Sequence, residues 1–156
     1  MIKIARLFST FFGVGFLPLA PGTWGSLLSL PIGYWLVLFG GVELLFITTL
    51  GLFIIGVWSS GVTSKEMKVT DPSQIVIDEV VGQWLTLLVL PLNIFWYFIG
   101  FMLFRLLDIY KPWPISWVDK KIKGGLGIML DDIIAGMFAA AVLWTSQSFY
   151  QNFTLD

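Results

Sequence analysis

The chain has 156 residues and a formal net charge of −1; 57% of its residues are hydrophobic and 12% charged. A soluble domain carries about 25% charged residues, so the composition excludes an ordinary soluble fold and points to an integral membrane protein, while the near-zero charge argues against electrostatic binding of nucleic acid. Cysteine and histidine are both absent, which excludes disulfides, thiolate nucleophiles, phosphohistidine intermediates and His or Cys metal sites. Chemistry is left to carboxylates, Lys, Arg, hydroxyls and a metal held through oxygen.

The first segment, residues 1–20, partly mimics a signal peptide: Lys3 and Arg6 form a short basic start and Leu7–Leu17 an apolar run. No small-residue cleavage site follows, and Pro21 succeeds Ala20, so the segment reads as retained. Lys3, Arg6 and Thr10 fall at helical spacing opposite Ile2, Ile4, Leu7, Phe8 and Phe11, which predicts a helix lying in the membrane interface.

"LAPGTWGSL" (Leu19–Leu27) predicts a helix start, with Thr23 as N-cap and Ser26 three residues on. Free N–H groups there, supported by hydroxyls, suit an anion, although many such starts bind nothing. The apolar stretch over residues 24–62 is interrupted at Gly40, Gly41 and Glu43. Its halves are each close to the minimum for a bilayer span, so the segment reads as a helical hairpin.

"DPSQ" (Asp71–Gln74) predicts the next helix: Asp71 as N-cap, Pro72 at the first helical position, Gln74 completing a capping box. The β-branched run Ile75–Ile77 would favour a strand, but a lone strand has no partner in an apolar helical protein. Pro91–Asn93 breaks the run before a second apolar stretch reaches Tyr110. The segment 72–110 is therefore a shallow helical hairpin. That reading puts Lys3 and Arg6, Lys65 and Lys68, and Lys111, Lys120, Lys121 and Lys123 on one side, the cytoplasmic one by the positive-inside rule. A single straight span over Gly82–Phe104 would strand the last group outside.

The polar stretch "KPWPISWVDKKIKGGLG" follows, with "KGGLG" a flexible turn. The final helix is predicted over residues 131–150, starting at Asp131 or Asp132. Ala135, Gly136, Ala139 and Ala140 give it a small-residue packing face. The fold class is all-α: a small polytopic membrane helical bundle, one domain over residues 1–156.

Six of the ten acids fall in three places: Asp78 with Glu79, Asp108 with Asp119, and Asp131 with Asp132. All three lie at the same membrane boundary in this topology. Acids gathered at one depth repel each other unless a cation lies between them, and an oxygen-only set with nearby phosphate suits Mg2+. Arg105 and Asp108 share a helix face, with Lys111 next along the chain. Capping would account for Asp131 or Asp132 singly, but not for both, nor for Asp78 and Glu79.

Four motifs, "PGTWGSL", "DPSQIVIDEVVGQW", "FRLLDIYKPWPI" and "GGLGIMLDDIIAG", together resemble the phosphatidylglycerophosphatase A family, in that family's order and over most of the chain from Gly13 to Gly136. The resemblance implies a bacterial, multi-pass inner-membrane enzyme that uses Mg2+. It would remove the terminal phosphate of phosphatidylglycerophosphate to leave phosphatidylglycerol, at a site facing the cytoplasm. On this reading Asp78, Glu79, Asp108, Asp131 and Asp132 are the catalytic acids, with Glu79, Asp131 and Asp132, joined by Asp78 or Asp108, as metal ligands. Arg105 and Lys111 would neutralise the phosphate, with Thr23 and Ser26 as supplementary donors. Other membrane lipid phosphatases use a histidine nucleophile, which this chain lacks; the D-G-x-x-A-R start of CDP-alcohol phosphotransferases and a D-x-D phosphatase motif are absent too. The competing classes are a small transporter or channel, whose acids would line a path across the whole bilayer, and a structural subunit, which needs no acid cluster.

Overall fold

A computed structural model describes the backbone of residues 1–154, with side chains described through residue 148. The described residues are all-helical, in chain order α1 (Ile2–Ser9), a 3-10 turn (Val14–Phe16), α2 (Pro21–Met67), α3 (Ile77–Leu87), α4 (Ile94–Tyr110), α5 (Ile115–Lys121) and α6 (Gly124–Thr154).

α2 is a hairpin. It breaks at Gly41, whose φ of 70° and ψ of −176° are non-helical; a positive φ favours glycine because no Cβ opposes it. The limbs then run side by side. Gly25 on the first packs against Val76, and Gly56 on the second against Met129 and Ile77, so both return to the start of α3. Each limb of about 20 residues or more runs about 30 Å, the thickness of a bilayer core.

The packing of α2 is inverted relative to a soluble helix. Its buried positions are mostly small or hydroxylated, among them Gly25, Ser26, Ser29, Gly33, Ser59 and Thr63. Its large side chains face outward: Trp35, Phe39, Ile47 and Ile54 are all more than half exposed. In water such a surface would drive aggregation; against lipid, small residues let helices approach and large apolar ones meet acyl chains. Pro21–Met67 and Gly124–Ser148 are each long and apolar enough to cross a membrane.

α3 and α4 form the second hairpin. Gly82 of α3 meets Phe104 of α4, while Gly100 of α4 meets Leu90 and Thr86. With 11 residues, α3 is about 16 Å long and falls short of a crossing. Asn93 caps α4, its side chain accepting from Phe95 N at 2.8 Å. The tip is tied to α6 by Gln147 Nε2, which donates to Val89 O at 3.4 Å. On α6, Ala135 and Ala139 are buried while Met137 and Trp144 face outward.

Several expected boundaries move. α3 starts at Ile77 with Val76 as N-cap, so Asp71 is not a cap and residues 72–76 are not helical. Pro72 instead closes a turn, its carbonyl accepting from Ile75 N at 2.9 Å, and Val76 N donates to Ser9 O at 2.9 Å. α2 starts at Pro21 behind Ala20, which displaces Thr23 from the cap into the first turn. α6 starts at Gly124, not at Asp131 or Asp132: Gly125 and Gly127 are packing glycines pressed against Val57 O and Ile122 O, and "GGLG" is helix. The seven-residue α5 lies in the polar stretch, where the sequence predicts no helix. The interfacial helix is only Ile2–Ser9, and Thr10 is buried rather than on a polar face, its hydroxyl donating to Arg6 O at 2.8 Å.

Candidate active site

Three helices deliver most of the polar residues to one end of the bundle. Asp78 and Glu79 occupy the first turn of α3; Asp131 and Asp132 lie in the interior of α6; Arg105 and Asp108 sit late in α4, with Lys111 as its C-cap. Glycines set the approach. A β-carbon on Gly82 would lie 2.6 Å from Asp132 O, and one on Gly136 would strike Gly82 O. That backbone contact between α3 and α6 brings Asp132 to Asp78 and Glu79. Gly22, in the first turn of α2, makes room for the Glu79 carboxylate in the same way.

One carboxylate oxygen from each of Asp78, Glu79 and Asp132 lies within 4.8 Å of the others. Arg105 stands beside this triad, with Nη1 2.5 Å from Asp108 Oδ2 and 3.7 Å from Glu79 Oε1. Its Nη2 donates to Thr23 Oγ1 at 3.4 Å. Lys111 bridges the second acid group: Nζ is 2.5 Å from Asp131 Oδ2 and 3.0 Å from Asp119 Oδ1. Burial works against the Lys111 charge, but the hydrogen bonds and charges of Asp131 and Asp119 outweigh it and hold the ammonium above its usual pKa.

These side chains surround a cavity of about 150 Å³ lined by Asp71, Asp78, Glu79, Asp108, Lys111, Asp131 and Asp132, with Pro21, Gly22, Pro72, Ser73 and Ile75 completing its wall. Six carboxylates line it together with Lys111, and Arg105 pairs with Glu79 and Asp108 beside it. Four of the six, Asp78, Asp108, Asp131 and Asp132, are at most 8% exposed. Buried carboxylates at such spacing are costly unless a cation joins them. Asp78 Oδ1, Glu79 Oε2 and Asp131 Oδ1 are buried without a hydrogen-bond partner. Orphaned oxygens on a converging, oxygen-only donor set fit a hard divalent cation such as Mg2+.

All nine residues singled out from the sequence lie at this end, but not in equal roles. Asp131 faces Lys111, and the converging triad consists of Asp78, Glu79 and Asp132. Ser26 is fully buried and its hydroxyl donates to Gly22 O at 2.9 Å, away from the cavity. Capping does not account for Asp131 and Asp132, which lie two turns inside α6. Sequence reasoning assigned Asp71 to a helix cap, whereas it lines the cavity; its place between two helices in "TDPSQ" carried the signal, since a turn there returns the chain over the acids. Gly22 was not singled out, because no local pattern tells a packing glycine from a loop glycine.

The phosphatidylglycerophosphatase A family model matches residues 7–147. The chain is 43% identical over 140 residues to phosphatidylglycerophosphatase A of Escherichia coli K12, covering 89% of this chain and 81% of that one. It is 39% identical over 148 residues to phosphatidylglycerophosphatase A of Haemophilus influenzae, covering 94% and 91%. A Bacteroides thetaiotaomicron protein with the provisional name phosphatidylinositol-3-phosphatase is 39% identical over 140 residues, covering 85% and 87%. No solved structure matches. The chain belongs to the phosphatidylglycerophosphatase A family.

Proposed function

We propose that this member of the phosphatidylglycerophosphatase A family hydrolyses the terminal phosphomonoester of phosphatidylglycerophosphate, giving phosphatidylglycerol and phosphate, with Mg2+ as cofactor. The observation that carries the reading is the convergence of Asp78, Glu79 and Asp132 within 4.8 Å of one another beside Arg105.

In this reading Asp78, Glu79 and Asp132 hold the metal, with Asp131 and Asp108 completing the acidic wall. Bound there, Mg2+ would supply Lewis-acid polarisation of the phosphoryl oxygens. The chain's own residues do the rest. Arg105 and Lys111 offer charged donors to a phosphate that would otherwise meet only carboxylates. Thr23 fixes the Arg105 guanidinium from the far side, and Ser26 supports the first turn of α2 rather than the phosphate. Burial keeps bulk water from screening these charges.

The site end also carries the basic residues. Arg6 pairs with Glu66 at the foot of α2, and Lys111 and Lys123 lie beside Asp119. By the positive-inside rule this end faces the cytoplasm of a bacterial inner membrane, with α2 and α6 crossing it. The clustering of acids at one end argues against a conduction path.

The test is product analysis on the purified protein. Phosphatidylglycerophosphate, phosphatidic acid and phosphatidylinositol 3-phosphate are offered separately, and released phosphate and lipid product are measured. Preferred conversion of phosphatidylglycerophosphate supports the proposal; conversion of another lipid alone reassigns the substrate.

A further inference from the structure

We propose that the seam between the first limb of α2 and α4 is a binding groove for one acyl chain of the phospholipid substrate. The proposal rests on the lipid-phosphatase reading above and extends it to the tail.

The seam grades from charge to hydrocarbon. At the site end, Arg105 of α4 touches Thr23 of α2. One helical turn beyond Glu79, on the same face of α3, stands Gln83. It is fully buried, and neither its amide nitrogen nor its amide oxygen has a partner. Farther along α4 is Tyr97, only 3% exposed, its ring centroid 6.0 Å from that of Tyr34 on α2 and its hydroxyl also unpartnered. Beyond it opens an apolar cavity of about 350 Å³, walled by Leu30, Pro31, Trp35, Ile94 and Phe98 with the two tyrosines.

Buried polar side chains without partners are uncommon and call for an explanation. Here Gln83 lies one turn along α3 from Glu79 of the charged cavity, and Tyr97 lines the apolar one. A phospholipid has the same order: phosphate, then glycerol and ester oxygens, then hydrocarbon. The distances agree. Arg105 and Tyr97 are eight positions apart, or about 12 Å along α4, comparable with an extended glycerol–phosphate–glycerol headgroup. A tail seated at Leu30 and Phe98 therefore leaves the terminal phosphate at Arg105. Gln83 and Tyr97 supply donors for the oxygens between, and the tail enters sideways from lipid, to which Trp35, Ile94 and Phe98 are open.

The proposal is tested by photolabelling. Phosphatidylglycerophosphate carrying a diazirine on one acyl chain is irradiated with the wild-type protein in nanodiscs, and labelled peptides are mapped. Label is expected on residues 30–35 and 94–98, competed by excess unlabelled phosphatidylglycerophosphate and not by phosphatidylcholine. Label spread over the outer faces of α2 and α6, or equal competition by both lipids, overturns it. In parallel, Leu30→Trp fills the cavity. It should lower the ratio of kcat/KM for a dioleoyl over a dihexanoyl substrate about tenfold, the loss of about two buried methylenes. An unchanged ratio overturns the groove. If the wild type releases no phosphate from phosphatidylglycerophosphate, the functional reading fails, while the labelling map still decides whether the seam takes a tail.

Discussion

The carboxylate of Glu79 occupies the space that a β-carbon on Gly22 would need. The contact joins the first turn of α3 to the first turn of α2. It holds Glu79 between the other two acids of the triad, Asp78 and Asp132, and Arg105, 3.7 Å away. A β-carbon at position 22 would therefore be accommodated only by moving the flexible end of the Glu79 side chain.

Gly22→Ala is therefore expected to push Glu79 off its place and cut kcat for phosphate release by tenfold or more. Gly51→Ala is the control: a β-carbon there meets nothing within 4 Å, and Ala in a helix is favoured over Gly by roughly 0.5–1 kcal/mol. Phosphate-release kinetics and thermal melting in detergent read both. Equal kinetics for the two variants would detach Glu79 from the chemistry.

The acids themselves separate by role. Asp132→Asn should lower activity on the order of a hundredfold, as for loss of one electrostatic catalytic group, with little change in melting. Asp71→Asn should also lose activity, more mildly, because Asp71 lines the cavity and caps nothing. Glu43→Gln, beside the distal turn at Gly41, should keep wild-type kinetics. Equal, mild effects at all three positions would remove Asp132 from the site.

Sidedness follows from the two hairpins. The native chain has no cysteine, so single cysteines report cleanly. Ser73→Cys and Ser116→Cys should be labelled by a membrane-impermeant maleimide from the same, cytoplasmic side, and Glu43→Cys from the other. Opposite labelling of Ser73→Cys and Ser116→Cys would mean that residues 82–104 cross the membrane once, and the acids of α3 and α4 could not meet.

The sequence made the hairpins legible because Gly40–Gly41 and Pro91–Asn93 punctuate long apolar runs, and the acids legible because carboxylates stand out in an apolar chain. It did not disclose helix starts. Thr23 and Asp71 have the chemistry of caps, but Pro21 and Ile77 begin the helices, since tertiary contacts such as Val76 N to Ser9 O fix where the chain turns. Gly125 looked like part of a loop because its reason for being glycine, Val57 O on α2, is distant in sequence. Which acids converge was hidden for the same reason: Gly82 and Gly136 set how α6 lies against α3, bringing Asp132 to Asp78 and Glu79, and no single-helix pattern displays that contact.

A carboxylate-held Mg2+ serving a lipid phosphatase is open to direct measurement. The most direct measurement is phosphate release from phosphatidylglycerophosphate as Mg2+ is titrated into EDTA-stripped protein, wild type and Asp132→Asn side by side. The account predicts no release in chelator, full recovery of the wild type on adding Mg2+, and a variant that is slower and needs more Mg2+ to reach its own maximum. Full activity in EDTA, or one Mg2+ dependence shared by both proteins, would contradict it.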